Sequence, residues 1–190
     1  MDQIFEEEVQ RTVSFLKAGK TILYPTDTIW GVGCDATNSK ACDKVYVAKK
    51  RPTSKSLIIL VDSVDRLTDY VVKVPAIAYD LIKAAKNPLS IIYAEGKNLA
   101  RNVSADKSVC IRVVEQDFCK EVIRQLGKPI TSTSANLSGQ PSPLTYNDIT
   151  EEMRHSVDYT VQLYHDVMAK PKSSTIIRLF EDNTFEIIRN

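Results

Sequence analysis

The stretch KKRPTSKSLIILV, Lys49 to Val61, places a helix end, a basic turn and an apolar run in succession. Ser39 to Lys49 reads as a helix, Pro52 stiffens the turn that follows, and SLIILV reads as a buried strand. A helix that feeds a buried strand through a short turn is a building unit of α/β proteins.

Upstream, Phe5, Val9, Val13 and Leu16 recur at helical spacing and Gly19 supplies a stop, so an amphipathic helix is expected there. TILYP then reads as a strand ended by Pro25. Downstream, a helix is expected from about Ala76 to Ala85 with Pro75 at its first turn. LSIIYA and SVCIRVV are β-rich, DFCKEVIRQLGKP has apolar helical spacing, and STIIRLF and FEIIRN form a hairpin across residues 181–184. Strands and helices interleave without strict βαβ regularity, and no repeat, low-complexity tract or linker interrupts them. The expected fold is α/β, a twisted mixed β-sheet with flanking helices, in one domain over residues 1–190.

Hydrophobic residues make up 43% and charged residues 26%, and no apolar run approaches the roughly 18 residues of a membrane span. The start MDQIFEEEVQ lacks the basic-then-apolar order of a signal peptide, so a cytoplasmic location without membrane contact is expected. Cys34, Cys42, Cys110 and Cys119 have no C-x-x-C spacing and lie far in sequence from His155 and His165. That favours buried free thiols over a zinc site. With a net charge of only +1, attraction to nucleic acid has to come from a local patch.

Three polar segments sit where loops gather over a sheet: YPTDTIWGVGCDA, KKRPTSK and TSTSANLSG. Lys49, Lys50, Arg51 and Lys55 bring four positive charges into seven residues. Such a run is commonly a solvated loop, yet this one leads into a buried strand and so suits a cleft mouth, where lysine and arginine together fit a polyphosphate. In TSTSANLSG the hydroxyls and the Asn136 amide both donate and accept, which fits either a ligand floor or a turn that satisfies its own backbone. G-V-G at Gly31 to Gly33 is not a dinucleotide fingerprint, and a Walker A sequence is absent. Thr26 and Thr28 could orient a small polar substrate, with Trp30 either a wall or plain core. Asp27 and Asp35 lack partners at diagnostic spacing, and no histidine motif suggests histidine-driven chemistry.

Taken together, YPTDTIWGVGCDA, KKRPTSKSLIILV, PLSII, SVCIRV, KPITSTSANLSGQPSP and SSTIIRL resemble, in order, the YrdC-type (YrdC/YciO/Sua) family of threonylcarbamoyl-AMP synthases, in its short single-domain form. The pairing of K-x-R, here Lys49 and Arg51, with S-x-N, here Ser134 and Asn136, is its most specific part. The resemblance implies a positively charged cavity and a nucleotidyltransferase that condenses L-threonine, bicarbonate and ATP into threonylcarbamoyl-adenylate and pyrophosphate, with Mg2+ assisting. The product would serve tRNA modification through tRNA-modifying partner proteins, and tRNA or double-stranded RNA is an expected ligand. On this resemblance Lys49 and Arg51 are the catalytic cations. Together with Lys55, Ser134 and Asn136 they hold ATP, while Thr28, Arg112 and Ser132 contact the other substrate, with Arg112 on the threonine carboxylate. Alternatives are a non-catalytic RNA-binding or regulatory module, or a divergent paralogue using another nucleotide. Two departures stand out: AKNPLS, with Asn87 and Ser90 at the family's usual glycine and threonine, and a glycine-free Asp166–Arg178 segment that puts Arg178 where an aspartate is common.

Overall fold

A computed structural model describes residues 2–167 and 173–190. Part of the glycine-free Asp166–Arg178 segment, residues 168–172, lies outside the described residues.

The chain runs α1 (Gln3–Lys17), β1 (Ile22–Tyr24), β2 (Gly31–Gly33), α2 (Ser39–Ala48), β3 (Ile58–Val61), a 3₁₀ turn (Val64–Arg66), α3 (Leu67–Tyr70), α4 (Ile77–Ala84) and β4 (Leu89–Tyr93). It continues through β5 (Val109–Val113), α5 (Asp117–Leu126), β6 (Ile130–Ser134), α6 (Glu151–His155), β7 (Tyr159–Thr160), β8 (Thr175–Leu179) and β9 (Phe185–Arg189). The ends of the longer helices follow from local chemistry. Asp2 and Asn38 accept from main-chain N–H groups as N-caps of α1 and α2, and Gly127 ends α5 in the left-handed region at φ 73°.

The strands form one nine-stranded sheet in the order β7-β1-β2-β6-β3-β5-β4-β8-β9. The pairs β1/β7, β3/β5 and β4/β8 are parallel and the rest antiparallel, so the sheet is mixed, as expected. The expected closing hairpin is β8–β9, and all four cysteines are buried and free.

Alternation along the strands sorts side chains between two cores. Ile59 and Val61 of β3 and Ile111 of β5 face a cluster built with Ala41, Val45 and Tyr46 of α2, Leu67 and Tyr70 of α3, Ala78 of α4 and Met153 of α6. Leu60, Val114 and Ile130 face the opposite side and pack under α1 and α5, where Phe5 meets Phe118 edge to face at 6.1 Å. That second layer covers only part of its sheet face. Ile58 stands two residues before Leu60, at the edge of that layer, Arg112 two before Val114 and Ser132 two after Ile130, and these three line an open cavity.

Besides β7, which the sequence reading did not include, two strands beside the cavity differ from it. The G-V-G segment is β2 rather than loop, and TSTS belongs to β6 rather than to a loop beyond it. A Cβ on Gly33 would stand 2.0 Å from the carbonyl oxygen of Thr131 on β6, so glycine permits the close approach of these backbones. Gly33→Ala is therefore expected to cost at least about 2 kcal/mol, read as a lower urea midpoint at unchanged m-value. A midpoint within error of the parent would show that the β2–β6 approach relaxes freely.

Candidate active site

The site grows from the end of α2. Lys49 caps the helix and Lys50 takes a left-handed φ of 48°. The Lys50 N–H then bonds the Val47 carbonyl and the Arg51 N–H bonds the Tyr46 carbonyl, the two bonds of a Schellman motif. A lysine in this conformation costs on the order of 1 kcal/mol relative to glycine. The sharp reversal sends neighbouring side chains to different places: Lys49 is fully buried, Lys50 pairs with Glu152 at 2.7 Å, and Arg51 reaches the cavity.

The cavity measures about 290 Å³, close to the lower end of the roughly 300–1,000 Å³ usual for ligand sites. A second cavity of about 400 Å³ shares Thr28, Ile29 and Trp30 with it. Among the expected residues, Thr28, Arg51, Arg112, Ser132 and Ser134 line the first cavity. Three do not. Lys55 is exposed on the basic turn. The Asn136 amide donates to the Leu137 and Gln140 carbonyls, which is the self-satisfying turn. Lys49 lies beneath that turn, with its ammonium donating to the carbonyl oxygens of Ser134 and Asn136.

Three arginines face this space, and each is held differently. Arg51 donates from Nε to the Lys55 carbonyl at 3.0 Å and from Nη2 to the Ser56 carbonyl at 2.8 Å. Arg189 donates from Nε and Nη2 to the Ser174 carbonyl at 3.1 and 2.8 Å. Arg112, 4% exposed, has Nη2 3.1 Å from Oδ1 of Asp27 and donates from Nη1 to the Thr28 hydroxyl at 3.4 Å, while its Nε is buried without a hydrogen-bond partner among the described residues. Carbonyl anchors fix a guanidinium in place without cancelling its charge, so Arg51 and Arg189 remain able to attract an anion.

Arg189 and Ser174 are parts of this wall that sequence reading missed, and behind the wall the hydroxyl of the buried Ser90 lies 2.8 Å from that of Ser174. Ser90 is the residue at the family's usual threonine, which was the available signal for it. Arg189 gave none, because only the pairing of β8 with β9 brings it back to Ser174. Trp30, 2% exposed, is both core and part of the cavity wall, and packs with Tyr146 and His165, whose rings stack at 3.7 Å. Neither histidine is among the lining residues. Burial pushes the Cys110 thiol up to about 12, which leaves it a neutral wall. Arg178, exposed on β8, stands in register with Glu186 of β9.

A family model for Sua5, YciO and YrdC, described as "Telomere recombination", matches residues 14–190. A relative from Pseudoalteromonas translucida, named threonylcarbamoyl-AMP synthase, is 29% identical over 160 residues, covering 82% of this chain and 86% of its own. The structure of P. abyssi Sua5 complexed with L-threonine superposes with a TM-score of 0.81 at 25% identity, over 90% of this chain and 50% of that one, so this chain spans about half of Sua5. E. coli YciO shares the fold, with a TM-score of 0.83 at 23% identity over 98% of this chain and 89% of its own.

Asp27 is the carboxylate partner of the buried Arg112, so removing it strands a charge in the sheet. Asp27→Ala is expected to destabilise by about 3 kcal/mol, measured by chemical denaturation, and Asp27→Ala combined with Arg112→Met to recover much of the loss. A single variant as stable as the parent would mean that the ion pair contributes nothing net.

Proposed function

This chain belongs to the Sua5/YciO/YrdC family, and we propose that it is a threonylcarbamoyl-AMP synthase whose first cavity receives ATP and a carbamate made from L-threonine and bicarbonate. The observation that carries this reading is the convergence of Arg51, Arg112 and Arg189 with the hydroxyls of Ser132, Ser134 and Thr28 on one cavity. Such a set suits an anionic, oxygen-rich group of reactants. The name carried by the Pseudoalteromonas relative and the L-threonine bound by Sua5 support it.

The chemistry asks little of the protein covalently. The threonine amine takes up carbon dioxide from bicarbonate as a carbamate, whose oxygen attacks the α-phosphorus of ATP. The α–β phosphoanhydride bond then breaks and its electrons leave on pyrophosphate. Positioning and electrostatic stabilisation supply such a step. Arg51 and Arg189 meet the charge growing on the pyrophosphate, with Lys55 at the outer rim. Arg112 receives the threonine carboxylate beside Thr28 and Ser132. Ser134 donates to the phosphate and carbamate oxygens, and Asn136 shapes the turn behind it. Magnesium enters as the counter-ion of the triphosphate, as part of the substrate. We further propose a cytoplasmic enzyme in which residues 1–190 form one domain and whose adenylate is passed to tRNA-modifying partners, with tRNA itself near the basic turn.

Pyrophosphate release should require ATP, magnesium, bicarbonate and L-threonine together, and Arg51→Ala should lower it by about 10²–10³ with the fold intact. Release independent of threonine, or absent from folded protein that binds RNA in a salt-sensitive way, would overturn the synthase reading.

A further inference from the structure

We propose that Lys49 is a positioning residue that acts through the turn after β6, drawing that turn's carbonyl oxygens away from the anion the cavity accepts. The kinetic meaning of this rests on the synthase reading; the geometry does not. Lys49 is fully buried, its ammonium donates to the carbonyls of Ser134 and Asn136, and its own carbonyl accepts from the Ser138 N–H at 2.9 Å. One residue thus grips the whole stretch from Ser134 to Ser138.

A carbonyl oxygen facing a phosphate repels it. With the Ser134 and Asn136 carbonyls turned onto an ammonium, the wall presents the Ser134 hydroxyl instead. Arg51, two residues on, faces the cavity, so one short loop directs one cation at the turn and another at the ligand.

The clamp also carries a titration. Burial, and after it the charge of Arg51, bring the Lys49 ammonium down to about 7. Among the groups around it, Lys50 of the same loop is paired with Glu152, Lys55 is exposed, and Tyr46 of α2 acts on Arg51. From β6 and its turn come main-chain carbonyls and the Asn136 amide, and no carboxylate is among the causes of the shift. Because the folded-state value lies below the unfolded one, roughly 10.4, the folded protein releases this proton first and the lysine's own contribution to stability grows as pH rises from about 7; above about 8.5 the thiols of Cys110 and Cys119, held up by burial, act in the opposite direction. Over the same window the ammonium is lost and the clamp weakens. Between about pH 7 and 8 fold stability and anion affinity therefore move in opposite directions, which a merely structural lysine would not produce.

The test uses the full chain, with Lys49→Met as the variant and inorganic pyrophosphate as the probe. Amide hydrogen exchange of ligand-free protein should show at least tenfold faster exchange at Ser138 in Lys49→Met, and calorimetry at pH 6.5 should show pyrophosphate affinity about tenfold weaker or more. Protection unchanged at Ser138 with affinity lost would make Lys49 a direct ligand, and affinity within twofold of the parent would remove its role; either overturns the proposal. If the variant does not fold, the parent alone decides: a urea midpoint that rises from pH 7 to 8, below the range in which unfolded thiols ionise, while pyrophosphate affinity falls supports the clamp, and both moving together overturns it. A loosened turn in a protein without threonine-dependent pyrophosphate release would sink the synthase reading and leave the clamp standing.

Discussion

Two helices cannot cover nine strands. At about 4.8 Å per strand the sheet is roughly 38 Å wide, while two helices of about 10 Å each shield about half of it. On the face under α1 and α5 this shortfall places the cavity: Leu60, Val114 and Ile130 lie beneath the helices, Ile58 lies at the edge of that layer, and Arg112 and Ser132 line the open part. The opposite face, packed by α2, α3, α4 and α6, holds the larger core and keeps the strands in register.

In the wall of that opening and directly behind it, cations are held mainly by main-chain carbonyls. Arg51 rests on the carbonyls of Lys55 and Ser56, Arg189 on that of Ser174, and Lys49 on those of Ser134 and Asn136. Arg112 differs in having a carboxylate, Asp27, beside it. A carbonyl offers a partial charge, enough to orient a guanidinium or ammonium but too little to neutralise it, so the cavity is organised before an anion arrives. This reduces the reorganisation that binding or reaction would otherwise require. It also means that the ligand's own charge completes the electrostatics of the site.

Much of this was legible in the sequence, because helices and buried strands announce themselves by period. The spacing of Val9, Val13 and Leu16 marked α1, and the apolar run to Val61 marked β3. The strand β2 was not legible, since two glycines in three residues carry no periodic signal and the reason for Gly33 is a close approach to Thr131. Nor was the extent of β6: its cavity-facing residues Ser132 and Ser134 are polar because that face is uncovered, and polar runs read as loops. Composition identified Lys49 and Arg51 as a pair of cations but not that they point apart, which depends on the left-handed Lys50 between them. Arg189 becomes visible only when the final hairpin closes.

Because core and cavity positions alternate along the same strands, neighbouring residues answer to separate demands. Ile111 is constrained by packing, whereas Cys110 and Arg112 on either side meet the cavity. A substitution at Ile92, Cys110, Ile176 or Ile188 changes what the cavity touches without opening a hole in the larger core. The architecture is in that sense evolvable: substrate preference can drift one residue at a time along β4, β5, β8 and β9 while the folding sequence is left intact between them.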